Sequence, residues 1–195
     1  TITKNRFVTT FDFIEENVVF HDGYMILCMT TPDNTGYGNE DPEHVLLNPG
    51  FESGFTNWSV WPENLTNYSV VTEPVLHGDH SLKLFGQNTG TTNSIAVYQT
   101  FNPSPGEGFT FSGSVHSASD DPVAGDNTAF LELTFFDGNW GVLGDQPVSS
   151  SITSSSPTDQ WLPLTISGTA PNGVVSFNVA MIFKQMNSAG GSVYF

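Results

Sequence analysis

The sequence predicts an all-β protein built as a sandwich of two antiparallel sheets. The composition is the first observation, because Phe and Gly are frequent, at 16 and 19 residues, while the Ala-, Leu- and Lys-rich runs that build helices are missing. The second is strict alternation of apolar and polar residues in several stretches, separated by turn-forming residues. With 195 residues, the chain is long enough to bury a sizeable core.

The alternating stretches predict both the strands and their buried side. We expect short strands at residues 68–72 and 94–101, followed by longer ones whose apolar residues face inward. The predicted inward residues are Phe109, Phe111, Val115, Leu131, Leu133, Phe135, Leu162, Leu164, Ile166, Val175, Phe177, Val179, Met181 and Phe183. Half-buried strands at this spacing are typical of two packed sheets.

The residues between these positions are predicted to point outward. They are Thr110, Ser112, Ser114, His116, Glu132, Thr134, Phe136, Ser176, Asn178 and Ala180. We expect Ser112, Ser114, His116, Glu132, Thr134, Phe136 and Asn178 to form one polar outward face with one exposed ring.

The first 45 residues read differently. Residues 7–14 alternate as a strand, and two further strands, 17–20 and 24–30, join through His21-Asp22-Gly23, a strong hairpin signal. Residues 31–44 are rich in Pro, Asp, Asn, Thr and Gly and read as a linker. We therefore divide the chain into N-terminal strands at 1–31, a linker at 32–45 and the sandwich at 46–195.

Charge and cysteine content exclude several function classes. Twenty acidic residues against four basic ones give a net charge of −16, which repels nucleic acid and anionic membrane surfaces. The single cysteine, Cys28, cannot form an internal disulfide and reads as a small buried apolar residue rather than a nucleophile. Neither a membrane-spanning run nor a signal peptide or initiator Met is present, so we expect a processed or excised piece.

The most specific motif begins at residue 46. It reads Leu46-Leu47-Asn48-Pro49-Gly50-Phe51-Glu52-Ser53-Gly54, followed by Trp58. This stretch resembles the opening of the family 4, 9 and 22 carbohydrate-binding modules, and the resemblance extends to Phe195. It implies a calcium-containing jelly-roll, galactose-binding-like β-sandwich, here preceded by a segment that contains a β-hairpin. It also implies a secreted, extracellular protein attached to a polysaccharide-degrading enzyme.

Glu52 is the candidate metal ligand, because a lone carboxylate among apolar residues needs a partner. The segment from His77 to Leu84 is similar to a turn that donates carbonyls to calcium in the family, which implies His77 and His80 as further ligands. Zinc is less favoured, since no other Cys or His completes four ligands. Residues 192–195 resemble a closing strand that continues into an Asp pair. Because the sequence given stops before that pair, we expect water or a neighbouring chain to complete the site.

A weaker resemblance covers the N-terminal strands. Residues 10–13 and 17–27 are similar to the first strands of family 16 glycoside hydrolases. That family acts through a Glu-x-Asp-x-x-Glu strand, and this spacing is absent here; Glu40-Asp41-Pro42-Glu43 does not match it. We therefore expect no enzymatic activity from this chain.

Sugars are bound by flat aromatic rings and by amide or carboxylate groups, with no proton transfer. The candidate binding residues are Trp140, Phe136, Tyr98, Gln99, His116 and Glu132. Binding and loop packing are equally compatible with Trp140, and His116 is more often a solvated strand residue. Trp58 reads as a core plug, Trp61 is left open, and Trp161 is expected to pack at an edge.

These observations predict a non-catalytic module that binds polysaccharide and targets a secreted enzyme to a β-linked glycan. The alternative is a structural jelly-roll subunit of an extracellular filament, adhesin or surface layer. In that alternative, residues 7–30 pair into a neighbouring chain or domain.

Overall fold

The computed structural model of the chain describes residues 26–30 and 46–195. These residues form ten strands and no helix, so no helix among them could cross a membrane. The strands are β1 (Ile26–Thr30), β2 (Ser59–Trp61), β3 (Tyr68–Val71), β4 (Ser81–Phe85), β5 (Asn93–Phe101), β6 (Gly108–His116), β7 (Thr128–Phe136), β8 (Trp161–Thr169), β9 (Ser176–Gln185) and β10 (Ser192–Tyr194). The prediction of an all-β sandwich of two antiparallel sheets is confirmed.

Six strands form one sheet, in which β6 is central. β8 pairs with the whole of β6, from Gly108–Thr169 to His116–Trp161. β1 pairs with Gly108–Ser112 and β10 pairs at His116 only, so these two strands share the other edge of β6. β10 then pairs with β4, and β4 with β3.

The other sheet has four strands in the order β2-β5-β9-β7, and β5 and β9 form its centre. The outer edge of β7 is covered by residues 142–152, which bridge to it at Val142, Val148 and Ile152. This cover satisfies backbone groups that an exposed edge would leave open.

The core lies between the two sheets and is rich in phenylalanine. Phe109 of the six-stranded sheet contacts Phe177 of the four-stranded sheet, with ring centroids 4.2 Å apart. The predicted inward residues are buried with two exceptions: Leu162 is half-buried, and Val175 is exposed. Val175 lies just before β9, and its backbone N–H donates to the carbonyl of Phe136.

The motif at residues 48–58 closes one end of the sandwich. Phe51 is fully buried and stacks on Trp58 at 5.1 Å, while the Trp58 indole N–H donates to the Asn48 carbonyl at 2.9 Å. The Asn48 side chain donates to the carbonyls of Gly54 and Thr56. Gly54 has φ of +63°, a conformation that favours glycine. The motif is therefore structural, and the prediction that Trp58 is a core plug is confirmed.

The N-terminal predictions are covered only in part. The predicted strands at 7–14 and 17–20, the predicted linker and most of the segment that resembles family 16 hydrolases lie outside the described residues. Of the predicted strand at 24–30, residues 26–30 are described and form β1. That strand pairs with β6 of its own chain and so joins the six-stranded sheet. The division of the chain at residues 32–45 stays a prediction.

Candidate functional site

The structure separates the predicted outward face into two faces on opposite sides of the sandwich. Ser112, Ser114 and His116 lie on β6, in the six-stranded sheet. Glu132, Thr134, Phe136 and Asn178 lie on β7 and β9, in the four-stranded sheet. The prediction of one continuous face was therefore wrong, because alternation fixes whether a residue points in or out but not which sheet carries it.

The outer surface of the four-stranded sheet, which we call the aromatic face, carries rings in register across all four strands. One row runs through Trp61, Ala96, Ile182 and Phe130 on successive strands. The next row runs through Ser59, Tyr98, Ala180 and Glu132. Cross-strand partners point to the same side of a sheet, so these eight side chains form one surface.

The rows place small residues between rings. Ala96 and Ala180 occupy neighbouring rows on the two central strands, whereas Trp61 and Phe130 stand on the two outer strands. Three strand spacings separate Trp61 from Phe130, about 14 Å, and one row follows the next after about 6.7 Å. Trp61 is 60% exposed. Because Ala96 and Ala180 carry only methyl groups beside larger side chains, we infer a shallow depression at these two positions.

Polar groups on the aromatic face are only partly used. One Glu132 carboxylate oxygen accepts a hydrogen bond from the Thr134 hydroxyl at 2.8 Å. The Asn178 amide oxygen accepts from Thr100 at 2.7 Å. Within residues 46–195, the second Glu132 oxygen, the Asn178 amide nitrogen and the Tyr98 hydroxyl make no hydrogen bond within the chain. Carboxylate, amide and phenol groups in this state are suited to bind hydroxyls.

Trp140 and Phe136 lie together at the end of β7. Their rings meet edge to face at 5.7 Å, and Trp140 is 70% exposed. The Asp137 carboxylate accepts the N–H groups of Asn139 and Gly141, each at 2.8 Å, which fixes the turn that carries Trp140. The indole is therefore held in solvent beside the aromatic face rather than packed into the core.

Gln99 does not reach the aromatic face. It points inward and is buried, and its amide bonds both the N–H and the carbonyl of Leu47, at 3.0 and 2.7 Å. Its neighbour Tyr98 points outward, as alternation requires. The structure thus assigns Gln99 to anchoring the segment before the Phe51 motif, and its buried amide does not face the aromatic surface.

His116 lies on the opposite face, in a row of side chains across the six-stranded sheet. Trp161, His116, Tyr194 and Lys83 are cross-strand neighbours on successive strands. The His116 ring contacts both Trp161, at 5.3 Å, and Tyr194, at 5.9 Å. His116 is 8% exposed, and burial lowers its pKa despite the nearby carboxylates of Asp159 and Asp120. It cannot join Tyr98 and Glu132 in one binding site.

Glu52 meets hydrogen-bond donors. Its carboxylate accepts the backbone N–H of Asp79 at 3.0 Å and of His80 at 3.3 Å, and it lies 3.1 Å from the His80 ring nitrogen. The His80 hydrogen bond is the main cause of its lowered pKa. Among residues 26–30 and 46–195, no three His, Cys, Asp or Glu residues group as metal ligands. The predicted calcium ligands, the Glu52 carboxylate and the carbonyls of His77 and His80, supply at most four oxygens, whereas calcium takes six or more.

The aromatic face contains residues that the sequence did not single out. Phe130, Ala96 and Ile182 were not among the candidates, and Trp61 was left open. Outward alternation from Leu131 would have identified Phe130. The row that joins it to Trp61 depends on the register of three strand pairs, which no sequence signal gives.

Comparison with solved structures shows the same fold in carbohydrate-binding modules. A family 16 carbohydrate-binding module superposes with a TM-score of 0.52 at 17% identity, over 76% of this chain and 92% of that one. This chain therefore has the β-sandwich fold of the carbohydrate-binding modules. The same fold appears in TmCBM61 bound to β-1,4-galactotriose, with a TM-score of 0.50 at 14% identity, over 76% of this chain and 92% of that module.

Two further solved structures match this chain, one of them over only a small part of its own length. The enzymatically active domain of bacteriophage CBA120 tailspike protein 4 matches with a TM-score of 0.54 at 15% identity, over 76% of this chain but only 20% of that one. The C-terminal family 22 module of Clostridium thermocellum Xyn10B matches with a TM-score of 0.50 at 17% identity, over 74% and 85%. No protein-family model and no curated protein matches the sequence. The resemblance to carbohydrate-binding modules is thus confirmed at the level of the fold.

Proposed function

We propose that this chain is a non-catalytic module that binds polysaccharide on its aromatic face. The observation that carries the proposal is the pair of rows in which Trp61, Tyr98 and Phe130 surround Ala96 and Ala180. A sugar chain presents apolar ring faces and hydroxyl edges. Rings on the module would stack on the faces, and nearby polar groups would bind the edges.

Each polar group has a definite part in this proposal. The free Glu132 oxygen would accept hydroxyl protons, the Asn178 amide nitrogen would donate to a sugar oxygen, and the Tyr98 hydroxyl could do either. Binding of this kind needs no proton transfer. A neutral glycan is favoured because the chain carries a net charge of −16.

The finer class of ligand is also a proposal. The likeness to TmCBM61, which binds β-1,4-galactotriose, and to a family 22 module supports a β-linked glycan such as a galactan, glucan or xylan. By the same likeness, the module would be secreted and would target a polysaccharide-degrading enzyme. We expect dissociation constants in the millimolar to micromolar range, about −4 to −8 kcal/mol.

Affinity electrophoresis on gels that contain soluble xylan, β-1,4-galactan or mixed-linkage β-glucan tests the proposal. The native chain should be retarded on at least one of them, and Trp61→Ala should lose most of the retardation, because it removes the most exposed ring of the two rows. Trp161→Ala is the matched control, since that indole lies on the other side of the sandwich. Equal mobility of all three proteins on every gel would refute the proposal.

Calcium near Glu52 is retained only as a proposal from the family resemblance. Its residues do not complete an ion site within the described chain, so any ion would need further ligands. Thermal denaturation with added calcium and with a chelator tests it. A melting temperature that is the same in both conditions would exclude a structural ion.

The alternative is a strand-donating subunit, in which β1 would pair with β6 of a neighbouring chain instead of its own. In the structure this pairing is within one chain. Size-exclusion chromatography at several concentrations separates the two ideas, because a monodisperse monomer excludes a polymer.

A further inference from the structure

A cavity of about 370 Å³ lies on the side of the sandwich opposite the aromatic face. Its floor is formed by Ser69 of β3 and by Lys83 and Phe85 of β4. Ser69 and Lys83 are cross-strand partners, and Lys83 is in turn the partner of Tyr194. The floor therefore offers a hydroxyl, an ammonium and an aromatic ring on one surface.

Three loops form the walls, and a buried glutamine joins two of them. Gln185 is 1% exposed and accepts the backbone N–H of Asn88 at 2.7 Å, while its amide nitrogen donates to the Ala189 carbonyl at 2.7 Å. Asn127, which is fully buried, donates to the carbonyls of Ala189 and Gly190. These amides fix the loops at residues 86–92, 117–127 and 186–191 relative to one another, so the cavity is formed before any ligand arrives.

Asp121 projects from the middle loop and is itself held. Its backbone carbonyl accepts the N–H of Ser192 at 3.1 Å, and one carboxylate oxygen accepts the Ser192 hydroxyl at 2.8 Å. The same oxygen lies 3.5 Å from the Lys83 ammonium. Burial lowers the pKa of Lys83, but Tyr194 and Asp121 outweigh it and leave that pKa above its ordinary value. The ammonium thus stays a donor, and within the described residues the second Asp121 oxygen makes no hydrogen bond.

We propose that this cavity is a second saccharide site, which takes a single neutral sugar residue or the end of a glycan chain. A carboxylate, an ammonium, a hydroxyl and the Asn88 amide nitrogen can bind adjacent sugar hydroxyls, while the Asn88 amide oxygen accepts from Gln185. The Phe85 ring can contact the apolar face of the sugar. An anionic sugar is disfavoured because Asp121 already shares the cation. Walls on three sides suit a terminal residue, whereas the aromatic face has no such walls and suits the middle of a chain.

Backbone amide NMR of the intact chain tests the proposal with the methyl glycosides of glucose, galactose, mannose and xylose, each at about 50 mM, well above a millimolar dissociation constant. At least one sugar should shift the amides of Gly86, Gly190 and Gly191. Asp121→Ala and Ser69→Phe, which act on a wall and on the floor, should each weaken that binding tenfold or more. Thr165→Phe, an exposed position elsewhere on the same sheet, is the matched control.

Two results would overturn the second site. One is that no sugar shifts these three glycine amides; the other is that the shifts persist in both cavity variants after each is shown to melt like the native chain. Trp61→Ala should leave the glycine shifts unchanged. The cavity and the aromatic face can therefore fail independently, because one is read from glycine amides and the other from retardation by polysaccharide.

Discussion

The two outer faces of the sandwich follow the same alternation in sequence but differ in how their side chains are used. On β6 and β8 the outward hydroxyls pair with each other across the strands, Thr110 with Ser167 at 2.9 Å and Ser112 with Thr165 at 3.1 Å. We call this surface the hydroxyl face. On the aromatic face, rings flank small residues, and several polar atoms have no partner within the described chain.

This difference separates a surface whose hydroxyls are paired from one whose polar groups lie beside exposed rings. Each hydroxyl pair has one of its two hydrogens engaged between its own oxygens, so it has fewer donors left for a ligand. A free amide or carboxylate beside an exposed ring gains both a hydrogen bond and buried apolar area. Polarity alone therefore does not identify a sugar-binding face. The hydrogen bonds that each polar group already makes within the chain have to be considered as well.

The largest expected effect comes from filling the depression on the aromatic face. Ala180→Trp would place an indole between Tyr98 and Glu132, where the sugar is proposed to lie. Retardation by polysaccharide should be abolished, which corresponds to an affinity loss of more than about tenfold, or 1.4 kcal/mol. Affinity electrophoresis measures it.

Ser167→Trp is the matched control for that experiment, because it adds the same ring to an exposed position on the hydroxyl face. Its retardation should equal that of the native chain. If Ala180→Trp melts like the native protein and is still retarded, the proposed position of the sugar is wrong.

A smaller effect is expected from removing one free polar group. Asn178→Ala deletes the amide nitrogen proposed to donate to the sugar, and a net hydrogen bond is worth about 0.5–1.5 kcal/mol, or a two- to tenfold loss of affinity. Isothermal titration with the polysaccharide that retards the native chain measures this loss. Ser167→Ala removes a hydroxyl from the other face and should bind normally; equal losses in both variants would contradict the distinction between the faces.

Alternation predicted most of the core residues, but not the proposed binding surface. Phe109, Leu131 and Phe177 were placed correctly because period-two patterning reports burial directly. His116 and Glu132 were placed on one face because both point outward, yet they lie on different sheets. Strand order and register depend on contacts between distant parts of the chain, and only these join Trp61 to Phe130.

Local motifs, in contrast to strand order and register, could be identified from the sequence. The segment at residues 48–58 was recognised from sequence because its hydrogen bonds are local: Asn48 bonds Gly54 and Thr56, and Trp58 bonds Asn48. Gln99 was misplaced although the pattern places it inward, since it lies at period-two spacing from Ile95, Val97 and Phe101, which are buried. Its partner, Leu47, is 52 residues away in sequence, and no pattern indicates that contact.

The smallest expected effect concerns the buried histidine beneath Trp161. Burial lowers the pKa of His116 from its ordinary value of 6.5, so the unfolded chain binds a proton at mildly acidic pH that the folded chain does not. Stability is therefore complete above about pH 6.5 and falls as the pH drops from there through the lowered folded-state pKa. His116→Phe should remove this slope.

Thermal denaturation between about pH 7.5 and 5.5 measures the slope, and the difference between native chain and variant should be on the order of 1–2 °C. The other histidines are the same in both proteins, so the difference between the two melting curves reports on His116 alone. An identical pH dependence in the two proteins would show that the fold does not protect His116 from protonation. It would also contradict the view that side chains cover His116 on the six-stranded sheet.

The central claim, that the ligand lies across the four-stranded sheet, is tested most directly by backbone amide NMR during titration with oligosaccharides of xylan, β-1,4-galactan and β-glucan. The account predicts that at least one of them shifts the amides of Ala96, Ala180 and Ile182, at the centre of the aromatic face. Shifts confined to Thr110, Ser112 and Ser167 on the hydroxyl face would contradict it, as would the absence of shifts at Ala96 and Ala180 with every oligosaccharide.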